Sequence, residues 1–250
     1  MLEIKHVSKS FFGFLALDDV SMRVEKGSFH ALVGPNGAGK TTLFNVVVGR
    51  YPPDGGEVRL EERRTSGLAT YRVVRMGLGI SFQRSQAFLS MSVLENVMLA
   101  VLAHQGRSRA LMRSFSAESE AKTTAYELIG WVGLADKTET PTAALPLGDL
   151  KRVDIAMALA GKPKLLLLDE PLAGLSRSER VSMVNFIEGL LRGLGITLLF
   201  TEHDTDAVLR LADRITVLHQ GRVLAEGGPD EIKNDARVIE AFLGEEYAEG

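Results

Sequence analysis

Cysteine is absent from this 250-residue sequence, which removes disulfide frameworks, thiolate metal sites and cysteine nucleophiles together and suits a reducing compartment. A basic excess is missing as well. The 29 Lys plus Arg face 32 Asp plus Glu, for a net charge of -3. No global positive field exists to attract nucleic acid, and neither DNA nor RNA is expected as a partner. Long apolar runs are lacking too: stretches such as Leu165 to Leu168 and Ile196 to Phe200 fall far short of the roughly 20 residues that cross a bilayer. Near the start, Glu3, Lys5, His6 and Lys9 interrupt the apolar residues and no small-residue cleavage site follows, so no secretory signal is expected.

The sequence does contain apolar runs that end in glycine or acidic residues: Ser28 to Val33, Leu165 to Leu168, Ile196 to Thr201 and Arg214 to Leu218. Between them, Thr41 to Gly49, Leu150 to Ala160 and Glu179 to Leu191 show helical spacing. That alternation predicts an α/β fold with a mainly parallel sheet, because uninterrupted apolar strands need helices on both faces. The stretch from about Ser85 to Ala160 differs, with helical patterns over Val93 to His104 and Glu118 to Val132 and no strand pattern. It reads as a helical subdomain, 85–160, inserted into a core of 1–84 and 161–250. Within it, Arg107, Arg109 and Arg113 stand without an acidic neighbour in Gln105 to Phe115, which describes either a solvated loop or a face for an acidic partner or anionic lipid. Glu240, Glu245, Glu246 and Glu249 near the end read as a solvated acidic tail.

The strongest local signal is Gly34-Pro35-Asn36-Gly37-Ala38-Gly39-Lys40-Thr41, a GxxxxGK[ST] pattern placed between a strand ending at Val33 and a helix starting near Thr41. Glycines let the backbone wrap around phosphate oxygens, and the loop amides with the helix N-terminus present positive charge to them. In such a loop Lys40 reaches the β- and γ-phosphates, Thr41 supplies a hydroxyl to Mg²⁺ and Thr42 adds a phosphate contact. A second pair lies at the end of a buried strand, where Leu165 to Leu168 lead into Asp169 and Glu170. Ligands of open α/β sheets bind at that end of the strands. Asp169 is then a Mg²⁺ ligand, directly or through water, and Glu170 a general base toward the attacking water; taken alone, the two acids also read as a cap on the next helix. His203, after the Ile196 to Thr201 strand, is placed to sense the γ-phosphate.

Taken in order and spacing, GPNGAGKTT, the Phe82-Gln83 pair, LLLLDEP, the Ala173-Gly174-Leu175 loop and Glu202-His203-Asp204 resemble the nucleotide-binding subunits of ABC transporters over nearly the whole chain. The resemblance implies a P-loop ATPase core with an antiparallel β portion near the N-terminus, using ATP and Mg²⁺. It implies that Gln83 contacts Mg²⁺ or water and links the ATP site to transmembrane permease subunits. It implies too that Ala173 to Ser176 crosses a dimer interface, and that Phe11, two residues before Gly13, stacks on adenine, a role Phe12 could take instead. Stacking would contribute roughly 1 to 3 kcal/mol with little base selectivity.

At a finer level, the Phe82 to Asn96 stretch, the helical insertion and Val238 to Gly244 are similar to ATPases of branched-chain amino-acid importers. His219 to Gly227 is similar to those of urea importers of the same group. A peripheral place on the cytoplasmic face of the inner membrane follows, reached through the partners.

One motif departs from the family. Where an LSGGQ-like signature caps the γ-phosphate held by the opposite subunit, this chain has Leu145-Pro146-Leu147-Gly148-Asp149. Gly148 keeps its place for that contact, Pro146 removes a hydroxyl and a backbone donor, and Asp149 brings negative charge; the following helix is expected to start near Leu150. A homodimer would then carry two handicapped sites, and pairing with a second, different ATPase subunit is expected. The alternatives are a non-transport ABC ATPase, whose coiled coils or basic extensions are not visible, and a regulatory subunit with weak turnover. Lys40→Ala should abolish tight ATP binding in equilibrium titrations, and unchanged affinity would remove the nucleotide assignment.

Overall fold

The computed structural model describes residues 1–106 and 119–246; Arg107, Arg109, Arg113 and Glu249 lie outside them. By its internal contacts the chain divides into two units, Met1–Met76 with Leu167–Glu170 and Thr197–Gly250, and Gly77–Leu166 with Pro171–Ile196.

The first unit opens with two long strands, β1 (Leu2–Phe11) and β2 (Phe14–Val24), then β3 (Phe29–Val33), helix α1 (Lys40–Val47), β4 (Gly55–Leu60), β5 (Arg63–Arg64) and the short helix α2 (Thr70–Arg75). In the order β2-β1-β4-β5 four of these strands form an antiparallel sheet, the expected N-terminal β portion. Its strands alternate as one-sided sheets do: along β2, Val20, Met22 and Val24 are buried while Ser21 and Arg23 between them are exposed.

The second unit begins with β6 (Leu78–Ser81) and continues through three helices, α3 (Val93–His104), α4 (Ser119–Trp131) and α5 (Leu147–Leu159). β7 (Leu165–Asp169) passes from this unit back to the first, and α6 (Arg177–Gly193) follows it in the second. The remaining elements, β8 (Thr197–Thr201), α7 (Thr205–Leu211), β9 (Arg214–His219), β10 (Arg222–Gly227), α8 (Pro229–Lys233) and α9 (Ala236–Glu246), belong to the first unit. Glu240, Glu245 and Glu246 are therefore part of a helix, where an acidic tail had been expected. Both α3 and α6 start with capping boxes, Ser92 with Glu95 and Ser176 with Glu179, which satisfy the amides that a helix start leaves unpaired. Contacts among α3, α4 and α5 bury Val97, Val101, Leu128, Ile129, Val153 and Leu159 as the core of the second unit.

The main sheet has the order β10-β9-β3-β8-β7-β6, with β3 parallel to both β8 and β9 and β10 returning antiparallel to β9. Every residue of β3 and β8 is buried, which explains their largely apolar character. The one polar intruder in β3 is His30, fully buried, with Nε2 2.7 Å from Thr216 Oγ1 of β9 and Nδ1 without a partner among the described residues. Burial pushes its pKa down to about 4, with the charges of Glu226 and Arg214 acting in opposite directions.

A depressed folded-state pKa means that the unfolded chain binds the proton first. Stability contributed by neutral His30 is therefore complete above about pH 6.5 and is lost as pH falls toward 4. Between pH 7.5 and pH 5 wild type should lose about 2 kcal/mol of unfolding free energy that His30→Gln does not lose, read by denaturant titration at both pH values. Parallel pH dependence of the two proteins would exclude His30 as the source.

Candidate functional site

In the first unit, β3 runs into the turn 34–39. Gly34 has φ +150° and Gly39 φ +104°. A Cβ at Gly34 would lie 2.0 Å from the Leu218 carbonyl oxygen, and one at Gly39 2.7 Å from that of Ala16. Only glycine allows backbones to pass so closely. The Gly221 N–H donates to the Ala38 carbonyl at 3.0 Å, so the β9–β10 hairpin supports the turn from behind. No side chain caps α1, which leaves its first-turn N–H groups available to an anion. Lys40 is 7% exposed, and its Nζ donates to the carbonyls of Gly34 at 2.5 Å and Pro35 at 2.8 Å. An ammonium held by its own loop exchanges neutral carbonyls for phosphate oxygens at a gain, since hydrogen bonds between charged partners are the stronger kind. Thr41 is exposed and Thr42, next in the chain, is half-buried.

The acidic pair sits at the end of β7. Glu170 adopts φ +48°, a left-handed conformation that a side chain with a Cβ takes only when its surroundings hold it there. Thr201, the last residue of β8, does the holding: its carbonyl and its Oγ1 both accept from the Glu170 N–H at 3.1 Å. The same hydroxyl donates to Asp169 Oδ1 at 2.7 Å. Burial raises the Asp169 pKa; the Thr201 hydrogen bond opposes it, and the neighbouring Glu170 charge raises it further. Two crowded carboxylates of this kind gain from an added cation, and their hard oxygens with a nearby hydroxyl suit a small divalent ion. Two residues past Thr201, His203 places Nε2 3.1 Å from Glu170 Oε1, so acid and imidazole can share one water or one proton.

Gln83 and Gly148 belong to the second unit. Gln83 is exposed in the segment after β6. That segment is pinned by buried polar side chains: Asp154 of α5 accepts from Ser85 and Gln86, and Asn96 of α3 accepts from Phe88 N–H and donates to Phe88, Met91 and Ser92 carbonyls. The helix expected near Leu150 begins at Leu147 with Pro146 as its N-cap, so Gly148 and Asp149 form its first turn. Glycine and aspartate are poor helix formers, yet an acid in the first turn favours a helix start. Nor is the Asp149 charge free, as it was expected to be. Lys137 Nζ donates to its Oδ2 at 2.5 Å, which raises the Lys137 pKa. A cavity of 270 Å³ opens beside this turn, lined by Pro146, Gly148, Asp149 and Arg152 and by Ser178 and Ser182 of α6. The Ala173 to Ser176 turn leads into the α6 cap.

Phe11 and Phe14 pair across the first hairpin, whose two connecting residues, Phe12 and Gly13, both have positive φ, as tight hairpins with right-handed twist require. Phe11 is half-buried, its ring edge-on to Tyr51 at 5.2 Å and with Lys9 Nζ 5.5 Å from its centroid. Phe12 is fully exposed.

The family model for the ABC transporter matches residues 17–173. The chain belongs to the ABC transporter family. It is the ATPase component, since the phosphate turn, the acidic pair and the histidine are all its own. A second family model, the branched-chain amino acid ATP-binding cassette transporter, matches residues 222–248. A relative from Salmonella typhimurium, described as a high-affinity branched-chain amino acid transport ATP-binding protein, is 37% identical over 98% of each chain. Among solved structures, the ADP conformation of an ATP-binding cassette of an ABC transporter superposes with a TM-score of 0.87 at 30% identity over 98% of each chain. A dimeric post-hydrolysis cassette with ADP and Pi does so at 0.77 and 26% identity, over 92% of this chain and 99% of that one.

Sequence reasoning missed Thr201 and Lys137. The signal for Thr201 was its place as the last polar, β-branched residue of an apolar strand; nothing local marked Lys137. Thr201→Val preserves shape but removes the hydroxyl shared by Asp169 and Glu170. Steady-state ATPase assays should show kcat lowered about tenfold or more, the equivalent of one hydrogen bond to a charged group, with little change in ATP affinity.

Proposed function

We propose that this chain is the ATP-hydrolysing subunit of an importer for branched-chain amino acids, using ATP as its Mg²⁺ complex. The observation that carries the reading is the grouping of Lys40, Asp169, Glu170 and His203 in one unit, with Glu170 and His203 3.1 Å apart. In it the turn from Gly34 to Gly39 and Lys40 hold the phosphates, aided by Thr42, while Thr41, Asp169 and Gln83 hold Mg²⁺. A bound cation there would supply polarisation of the terminal phosphate and would offset the Asp169 and Glu170 charges. Glu170 takes a proton from the attacking water, and His203 steadies that water and the γ-phosphate. Phe11, preorganised by Tyr51, stacks on adenine in preference to unsupported Phe12. The match of residues 222–248 supports amino acids over urea as the cargo class.

Transport requires permease subunits in the membrane, because among the described residues no helix is long and apolar enough to cross it. The chain then works peripherally on the cytoplasmic face, as one domain with residues 85–160 as its helical subdomain. A second ATPase subunit completes two head-to-tail ATP sites. The Pro146 departure favours a different chain as that partner, with Gly148 still facing the partner's ATP. Since Lys137 neutralises Asp149, the handicap reduces to Pro146 and Leu147. Restoring Pro146→Ser with Leu147→Gly should raise the ATPase rate of the chain alone severalfold. An unmodified chain that already hydrolyses ATP as fast as the restored one would overturn the asymmetric assembly. Glu170→Gln, assayed beside it, should keep ATP binding and trap an ATP-dependent dimer in size-exclusion chromatography; normal hydrolysis in that variant would move the base elsewhere.

A further inference from the structure

The Gln83 segment and α5, whose first turn holds Gly148, are joined by a group to which the ATPase chemistry assigns no role. Among the buried residues of α5, Val153, Asp154, Ile155, Ala156 and Leu159, Asp154 alone is polar. It is 7% exposed, and burial raises its pKa against the pull of its hydrogen bonds and of the Lys151 charge. An apolar residue at that point of a helix core would be less costly, since a buried carboxylate loses its hydration there. What the carboxylate obtains in return is specific: Oδ1 accepts from Ser85 Oγ and from Gln86 N–H, each at 3.0 Å. The turn is completed by Ala87 N–H donating to Ser85 Oγ at 3.2 Å. These donors lie two and three residues beyond Gln83, and Asp154 lies six beyond Gly148. Asn96 holds the far end of the segment to α3, and Asp154 ties its near end to α5.

We propose that Asp154 is a positioning residue of the ATPase, fixing the Gln83 segment to α5 so that Gln83 and the Gly148 turn move as one body. The proposal rests on the reading of those two as parts of the ATP machinery. It separates them from the chemistry at Glu170 and makes their relative placement depend in part on one buried acceptor. Asn supplies the same acceptor without a charge, whereas Ala supplies none.

The test uses the purified full chain, with steady-state ATPase kinetics and hydrogen exchange of the backbone amides followed by mass spectrometry. In Asp154→Ala, the amides of 85–87 should exchange about tenfold faster or more, the factor set by losing a hydrogen bond to a charged group. kcat should fall in similar measure while KM for ATP stays near wild type. Asp154→Asn should restore most of both. Ser85→Ala, which removes one donor without disturbing the helix core, should show the same pair of changes in smaller measure and serves if Asp154→Ala does not fold. Wild-type exchange at 85–87 in the Ala or Ser85 variant overturns the proposal, and so does an Asn variant as impaired as Ala. If wild type itself neither binds nor hydrolyses ATP, the ATPase reading fails and the positioning role with it, while the exchange data still report whether the tie exists.

Discussion

Three strand ends have to stop at one edge of one sheet for this molecule to do chemistry. β3 delivers the phosphate turn, β7 the acidic pair, and β8 the threonine and histidine that hold and face it. Parallel pairing of β3 with β8 aligns their carboxyl ends and leaves the crevice beyond them for a ligand. The burial of β3 and β8 over their whole lengths is thus a condition of the site as well as a source of stability.

That edge concentrates features which elsewhere would weaken a protein. Gly34 and Gly39 give up side-chain packing so that the Leu218 and Ala16 carbonyls can approach. Glu170 takes a left-handed backbone, and Asp169 keeps a carboxylate where burial disfavours its charge. Each is held by a neighbour that is itself buried and hydrogen-bonded: Gly221 behind the turn, Thr201 across the acids. The strain is local and the support comes from strands distant in sequence, the usual arrangement where a fold stores strain at a working site.

The same division explains what could be read from the sequence. Phosphate turns and acidic strand ends are contiguous, so Lys40, Asp169, Glu170 and His203 were visible from their own neighbours, as were the parallel sheet and the helices flanking it. Thr201, Lys137 and Asp154 act on residues 32, 12 and 69 positions away. None of these separations corresponds to helical or strand spacing, and only the fold brings the partners together. The α5 boundary was misread for a related reason. Gly148 and Asp149 are poor helix formers by propensity, and what overrides it is a first turn in which Asp149 meets both the helix dipole and Lys137.

That first turn bears on how the departure from LSGGQ should be weighed. Read as letters, LPLGD loses a serine and gains a negative charge, two penalties toward a phosphate. In the folded protein Lys137 donates to Asp149 at 2.5 Å, and the acid sits where the amides of α5 already favour an anion. A phosphate approaching this turn meets an ion pair of no net charge, not a bare carboxylate. Ion pairing also keeps Asp149 oriented toward Lys137, so the side chain does not compete for the free amides of α5. The electrostatic penalty therefore largely cancels within the second unit, and the missing Pro146 hydroxyl and N–H remain. Together with Leu147, which stands where the signature has a glycine, those are the groups on which the proposed pairing with a different ATPase subunit rests.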